Sequence, residues 1–152
     1  MRDFFPASLF WLFTVIGMMG SFCPPAFSAD GRISLVIDVV EVKEPEGTIE
    51  YALYDRAETF PKRQGRLRKG KVPATAPVTR IRIDGLTPGT FAVAIFHDAN
   101  GNGEFDQGFL GIPLEDYGFS NDAMGFFSAP DFAEAKFVLT EETNNITVTL
   151  RR

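Results

Sequence analysis

The chain has 152 residues, with 20 Asp and Glu against 15 Lys and Arg, a formal net charge of −5. One cysteine and one histidine exclude both an internal disulfide framework and a zinc site built from His and Cys clusters. The acidic balance, with no recognisable nucleic-acid motif, sets nucleic acid aside as a partner.

Residues 1–28 read as a cleavable signal peptide. Leu9 to Gly20 is an almost unbroken apolar run, shorter than the roughly 20 residues that span a bilayer as a helix. Pro24 and Pro25 break it, and Ala26 and Ser28 supply the small residues of a cut after Ser28, which is the secretory order. The segment before the run is weakly charged, since Arg2 faces Asp3, and Phe22 stands before Cys23 where bacterial lipidation wants a small residue. Cleavage removes Cys23 and Trp11, leaves no stable transmembrane segment, and delivers the product to the periplasm or the medium. The remainder, 29–152, is expected to fold as a single cysteine-free domain resting on its core. Chains of that length bury about two thirds of their unfolded surface.

Alternation of apolar and polar residues then dominates, the strand signal. Ile33, Leu35, Ile37 and Val39 form one row; Ile49, Tyr51 and Leu53 form the next. Thr79, Ile81 and Ile83 alternate with Arg80, Arg82 and Asp84, so one face of that strand is wet. Phe91, Val93 and Ile95 alternate with Ala92, Ala94 and Phe96; apolar on both faces, this strand belongs in the middle of a sheet. Ala135, Phe137 and Leu139 make a further row, and Ile146, Val148 and Leu150 the last. No stretch of ten residues or more carries a helical apolar period. The pattern predicts an all-β fold: a β-sandwich of six to seven strands with immunoglobulin-like or transthyretin-like topology.

Two connections are long, the kind of segment that carries function. The first, 56–76, holds Arg56, Lys62, Arg63, Arg66, Arg68, Lys69 and Lys71 against the single acid Glu58. Its Lys62, Arg63, Arg66, Arg68 and Lys69 could grip an anionic envelope component; the alternative is a solvated hairpin. The second, 98–131, is acidic and glycine-rich.

Within it, Asp98-Ala-Asn-Gly-Asn-Gly-Glu-Phe-Asp106 matches the first nine positions of an EF-hand-type calcium loop. Oxygen-bearing side chains fall at Asp98, Asn100, Asn102 and Asp106, the Glu104 carbonyl takes the backbone position, and Gly103 permits the chain reversal. Calcium wants six to eight hard oxygens, and alternate side chains of a curling loop converge on one centre. The closing acidic position is Phe109, so closure must come from Glu115, Asp116, Asp122 or water. Binding is then expected to be weak, about 10⁻⁴ to 10⁻³ M as in extracellular modules. The same residues also form turns that cap their own backbone without any ion.

His97, the one histidine, shares a strand face with Val93 and Ile95. It either bonds a loop carbonyl or contacts a ligand. Tyr117, Phe119, Phe126 and Phe127, beside Asn121, could floor a sugar or peptide site or plug one end of the fold. The candidate ligand pocket is therefore His97, Tyr117, Phe119 and Asn121.

The stretches Phe96-His-Asp-Ala-Asn-Gly-Asn-Gly-Glu-Phe-Asp106, Phe109-Leu-Gly-Ile-Pro113 and Tyr117-Gly-Phe-Ser-Asn121 resemble a bacterial exported family of unknown function, family 2141 of that kind. Leu53-Tyr-Asp55, Phe60-Pro61, Gly85-Leu-Thr-Pro-Gly-Thr-Phe91 and Phe132-Ala-Glu-Ala-Lys-Phe137 extend the likeness over most of 29–152. The resemblance implies an exported sandwich and assigns no activity. More loosely, the 98–106 loop is similar to the calcium loops of Gram-positive adhesin repeats, and Gly85–Phe91 to carboxypeptidase-regulatory sandwiches, which are binding or scaffold modules. Two functions therefore stand as expectations. One is an exported binding or scaffold module with a structural calcium loop. The other is a small periplasmic hydrolase or sugar-processing enzyme using His97 or carboxylates among Asp98, Glu115, Asp116 and Asp122.

Overall fold

A computed structural model describes residues 31–125 and 128–152. The signal peptide expected over 1–28, with Cys23 and Trp11, and the pair Phe126 and Phe127 lie outside the described residues. The chain forms β1 (Ile33–Val40), β2 (Thr48–Tyr54), β3 (Arg68–Pro73), β4 (Val78–Leu86), β5 (Gly89–Asp98), β6 (Tyr117–Phe119), a single helical turn α1 (Phe132–Ala135), β7 (Phe137–Leu139) and β8 (Asn145–Thr149).

These strands make two sheets. One has the order β4-β1-β8, with β8 parallel to β1; the other has the order β3-β2-β5-β6, with β7 also paired to β5. The alternation read from sequence is the alternation of burial: Leu35, Ile37 and Val39 are fully buried while the residues between them are partly exposed. Their row meets Ile81, Ile83 and Val148 of the same sheet and Ile49, Leu53, Val93 and Ile95 of the other in one apolar cluster. Each such side chain contributes about 1.5–3 kcal/mol by leaving water, so the shared core holds the two sheets together. On the wet face, Arg80 makes a two-pronged pair with Asp38 at 2.7 and 3.0 Å.

β5 is central, as its two apolar faces predicted, with β2 on one side and β6 and β7 on the other. Three details differ from expectation. Among the described residues there are eight strands rather than six or seven, because β3 and β6 also form. β3 is a charged edge strand, Arg-Lys-Gly-Lys-Val-Pro; lysines and proline guard such edges against mispairing and erase the apolar alternation. Ala135 is not on a strand but ends the helical turn α1, fully buried, and β7 starts only at Phe137.

A second cluster sits on the other face of the larger sheet. It joins Ala52, Tyr54, Phe60, Ala92, Phe119, Ala123 and Ala135. The segment Tyr117–Asn121 clasps it. Ser120, fully buried, accepts the Val93 N–H at 2.9 Å and donates to the Ala135 carbonyl at 2.5 Å. Gly118 passes so close to Thr149 and Val148 that a Cβ would lie 2.6 Å from the Thr149 carbonyl oxygen.

Candidate functional site

The last residues of β5 place neighbouring side chains on opposite faces of the sheet. His97 continues the inner row of Val93 and Ile95, and Asp98 falls on the other parity. Asp98 is fully buried, and its carboxylate gathers the start of the loop. One oxygen accepts the N–H groups of Gly101 (2.8 Å) and Asn102 (3.1 Å), the other that of Gly103 (2.8 Å). Gly47 at φ +75° packs against the Asp98 and Ala99 backbone where any Cβ would collide, so the loop root is locked to the entry of β2.

The remaining loop side chains converge on Asp106. Asn100 Nδ2 donates to it at 2.6 Å and Asn102 Nδ2 reaches both its oxygens at 3.1 Å. The two amide oxygens accept backbone N–H groups, Asn100 from Asn102 at 2.9 Å and Asn102 from Glu104 at 2.8 Å. The Glu104 side chain points away, 3.9 Å from the Arg63 guanidinium.

The spacing left three candidates to close this loop, and the structure separates them. Glu115 is buried beside it: Oε2 accepts the Asp106 N–H at 3.1 Å, while Oε1 is buried with no hydrogen-bond partner among the described residues. Burial pushes its pKa above the ordinary 4.5; the backbone N–H of Asp106 opposes this, the charges of Asp106 and Asp98 add to it, and Ala99 N–H opposes it more weakly. Ala99 N–H thus steadies the charge without completing a bond to Oε1. Asp116, the next residue and equally buried, is neutralised instead. Lys43 Nζ donates to Oδ2 at 3.0 Å, and Arg152 Nε forms an ion pair with Oδ1 at 3.2 Å without a well-aligned hydrogen bond. Asp122 is elsewhere, accepting the Thr149 N–H and hydroxyl at 2.9 and 3.1 Å.

Between these groups lies a cleft of about 400 Å³ lined by Lys43, His97, Asn100, Asp106, Glu115 and Arg152, among others. His97 Nε2 is 2.7 Å from the Glu46 carbonyl. A carbonyl oxygen only accepts, so Nε2 carries the proton and is committed to that bond. Among the described residues no three His, Cys, Asp or Glu side chains are gathered so as to hold a metal by themselves. A cation here would rely on Asn100, Asn102 and backbone carbonyls as well as on Asp98, Asp106 and Glu115.

Tyr117 and Phe119 stand on the opposite face from His97. They belong to an aromatic chain running Phe96–Phe105–Tyr117–Phe119–Phe60–Tyr54, with successive ring centroids 5.2 to 6.0 Å apart. Beside it is a cavity of about 260 Å³ whose lining includes Ala52, Ala94, Phe96, Phe105, Tyr117 and Arg66. Asn121 joins neither site. At φ +59° it donates to the carbonyls of Glu134 (3.2 Å) and Lys136 (2.7 Å), holding α1 in place. The four residues grouped from sequence thus fall into three places.

The basic connection is also divided. Lys69 pairs in register with Ala52 and Lys71 with Glu50, which puts both on the cavity's face. Arg68 pairs with Leu53 and has the other parity. Lys62 and Arg63 belong to the turns before β3, Lys62 donating to the Glu58 carbonyl at 3.1 Å. One feature had no sequence signal of its own: Phe109, Leu110, Ile112 and Leu114 are all exposed on a tight hairpin closed by Gly108 N–H on the Ile112 carbonyl at 2.8 Å. Apolar residues in the sequence read as core, and only the hairpin shows them turned outward.

Residues 37–147 match the model of a family described as an uncharacterized protein conserved in bacteria, DUF2141, and the chain belongs to that family. No curated protein and no solved structure matches it.

Proposed function

We propose that this member of the family is an exported binding or scaffold module, working in the periplasm or outside the cell, with the 98–106 loop ordered by calcium. In this reading the two sheets form a β-sandwich of immunoglobulin-like or transthyretin-like topology, a rigid body that presents the loop at one end. The observation that carries it is Glu115. A buried carboxylate with one oxygen unpartnered, set beside Asp98 and Asp106, is costly unless a positive charge arrives.

Calcium would take the place that the Asn100 and Asn102 amide groups now occupy against Asp106. Rotation of those amides would turn oxygen donors inward, and Glu115 Oε1 would supply the closing ligand that Phe109 cannot. The hydrolase alternative would have to work through His97 Nδ1, since Nε2 is held by the Glu46 carbonyl, and without Asp116, which is paired with Lys43 and Arg152.

At calcium ten- to a hundredfold above Kd, linkage predicts roughly 1.5–3 kcal/mol of added stability. The melting temperature should rise by several degrees, and Glu115→Gln should remove the rise. No thermal shift of the wild-type chain at about 10 mM calcium, tenfold above the weakest expected Kd, would overturn the proposal.

A further inference from the structure

We infer that the cavity on the outer face of the larger sheet is a binding site for a small, single-ring aromatic carboxylate. The inference supplies a ligand class for the binding module proposed above, but its geometry comes from the sheet and does not require the ion.

The space exists because of two small residues. Ala52 and Ala94 lie directly opposite each other on β2 and β5, in a face that also carries Tyr54, Phe96, Tyr117 and Phe119. Any larger side chain at either alanine would fill the floor. The resulting volume, about 260 Å³, exceeds the ~150 Å³ that holds a benzene molecule and lies just under the ~300 Å³ at which pockets for larger ligands begin. One substituted ring fits. Its walls are rings too: Phe96 and Phe105 are 5.6 Å apart, Phe105 and Tyr117 5.7 Å, and Tyr117 and Phe119 6.0 Å. Edge-to-face and offset contacts with a guest ring are favourable at such spacings.

The polar groups select a negative end. Arg66 lines the cavity, and its Nε is buried with no hydrogen-bond partner among the described residues. A guanidinium offers a planar fork that matches a carboxylate. Lys69 stands on the same face, in register with Ala52. Glu50 and Gln107 also line the cavity. Glu50 is four residues along β2 from Tyr54, about 13 Å of strand. Leu67 N–H bonds the Leu53 carbonyl at 2.8 Å, which sets Arg66 at the Tyr54 end. The cavity therefore has a cationic end at Arg66, while at the other end Glu50 stands opposite Lys71 on β3 and offers a carboxylate acceptor; a guest with a carboxylate at one end and a hydroxyl donor at the other satisfies both.

The test uses the full chain labelled with ¹³C at its tyrosine rings and two probes, 4-hydroxybenzoate and 4-hydroxybenzyl alcohol, which differ in the anionic group. Each titration is run in millimolar calcium and again in EDTA, so that failure of the calcium proposal leaves this one measurable. The expected result, in at least one condition, is a saturable shift of the Tyr54 and Tyr117 signals with the acid bound about tenfold or more tighter than the alcohol, the worth of a charge-assisted hydrogen bond. Arg66→Gln should abolish that preference, and Ala94→Leu should abolish binding of both probes. The wild-type comparison stands even where a variant fails to fold. No saturable shift in either condition, or equal affinity for acid and alcohol, would overturn the inference.

Discussion

The loop 98–106 and the basic connection between β2 and β4 both leave the same sheet, yet they are held by opposite means. The loop hangs on charge: a buried carboxylate, Asp98, takes three backbone N–H groups, and a half-buried one, Asp106, takes two side-chain amides. The basic connection hangs on backbone. Its turns close through Lys62 N–H on the Thr59 carbonyl and Gly65 N–H on the Lys62 carbonyl, and β3 then pairs with β2 from Leu53 to Thr48. A ladder spreads its stabilisation over many equivalent bonds. A buried anion concentrates it in one side chain.

The largest effect should therefore come from the loop root. Asp98→Ala removes the acceptor for three N–H groups and is expected to cost about 3 kcal/mol, read as a lower midpoint in urea. A change under about 1 kcal/mol would mean that the loop is held in some other way. Glu115 gives the next effect, and its sign is diagnostic. With its folded pKa raised, the folded chain keeps a proton that the unfolded chain releases. Stability from this group is complete below 4.5 and is lost as pH rises through the raised value. In EDTA, Glu115→Gln should thus be more stable than wild type near neutrality, with the gap closing as pH falls toward 4.5. A gap that ignores pH would contradict this.

Asp38 and Asp84 act in the other direction. Hydrogen bonds from Arg80, and from Ser34 and then Arg82, hold them below 3.8, so their contribution is present above that value and fades on further acidification. The smallest effects belong to the basic connection and the exposed hairpin. Lys69→Ser and Phe109→Ser remove exposed side chains and should each move stability by less than about 0.5 kcal/mol. A larger loss from Lys69→Ser would show that the connection also relies on charge.

Much of the fold was legible because long strands with one buried face write their period into the sequence. Ile33–Val39 and Thr79–Ile83 are read directly, and the two apolar faces of Phe91–Phe96 gave β5 its central place. β3 and β6 were not legible. One is an edge strand of charged residues, and the other is three residues long. The oxygen spacing of the loop was legible too, but which acid would stand free to close it was not. Glu115 and Asp116 are adjacent and equally buried, and only the approach of Lys43 and Arg152, distant in sequence, neutralises one and leaves the other. His97, Tyr117 with Phe119, and Asn121 are neighbours in the sequence but stand in three places in the fold. Proximity in the chain does not survive strand parity, which sends His97 inward, nor the left-handed turn at Asn121.

The central claim is that Glu115 completes a cation loop left open at Phe109. Calorimetric titration of wild type and Glu115→Gln with calcium, side by side, tests it most directly. The account predicts a saturable heat for wild type, with Kd about 10⁻⁴ to 10⁻³ M, and none for the variant. Equal heats from the two proteins, or no heat from either, would contradict it.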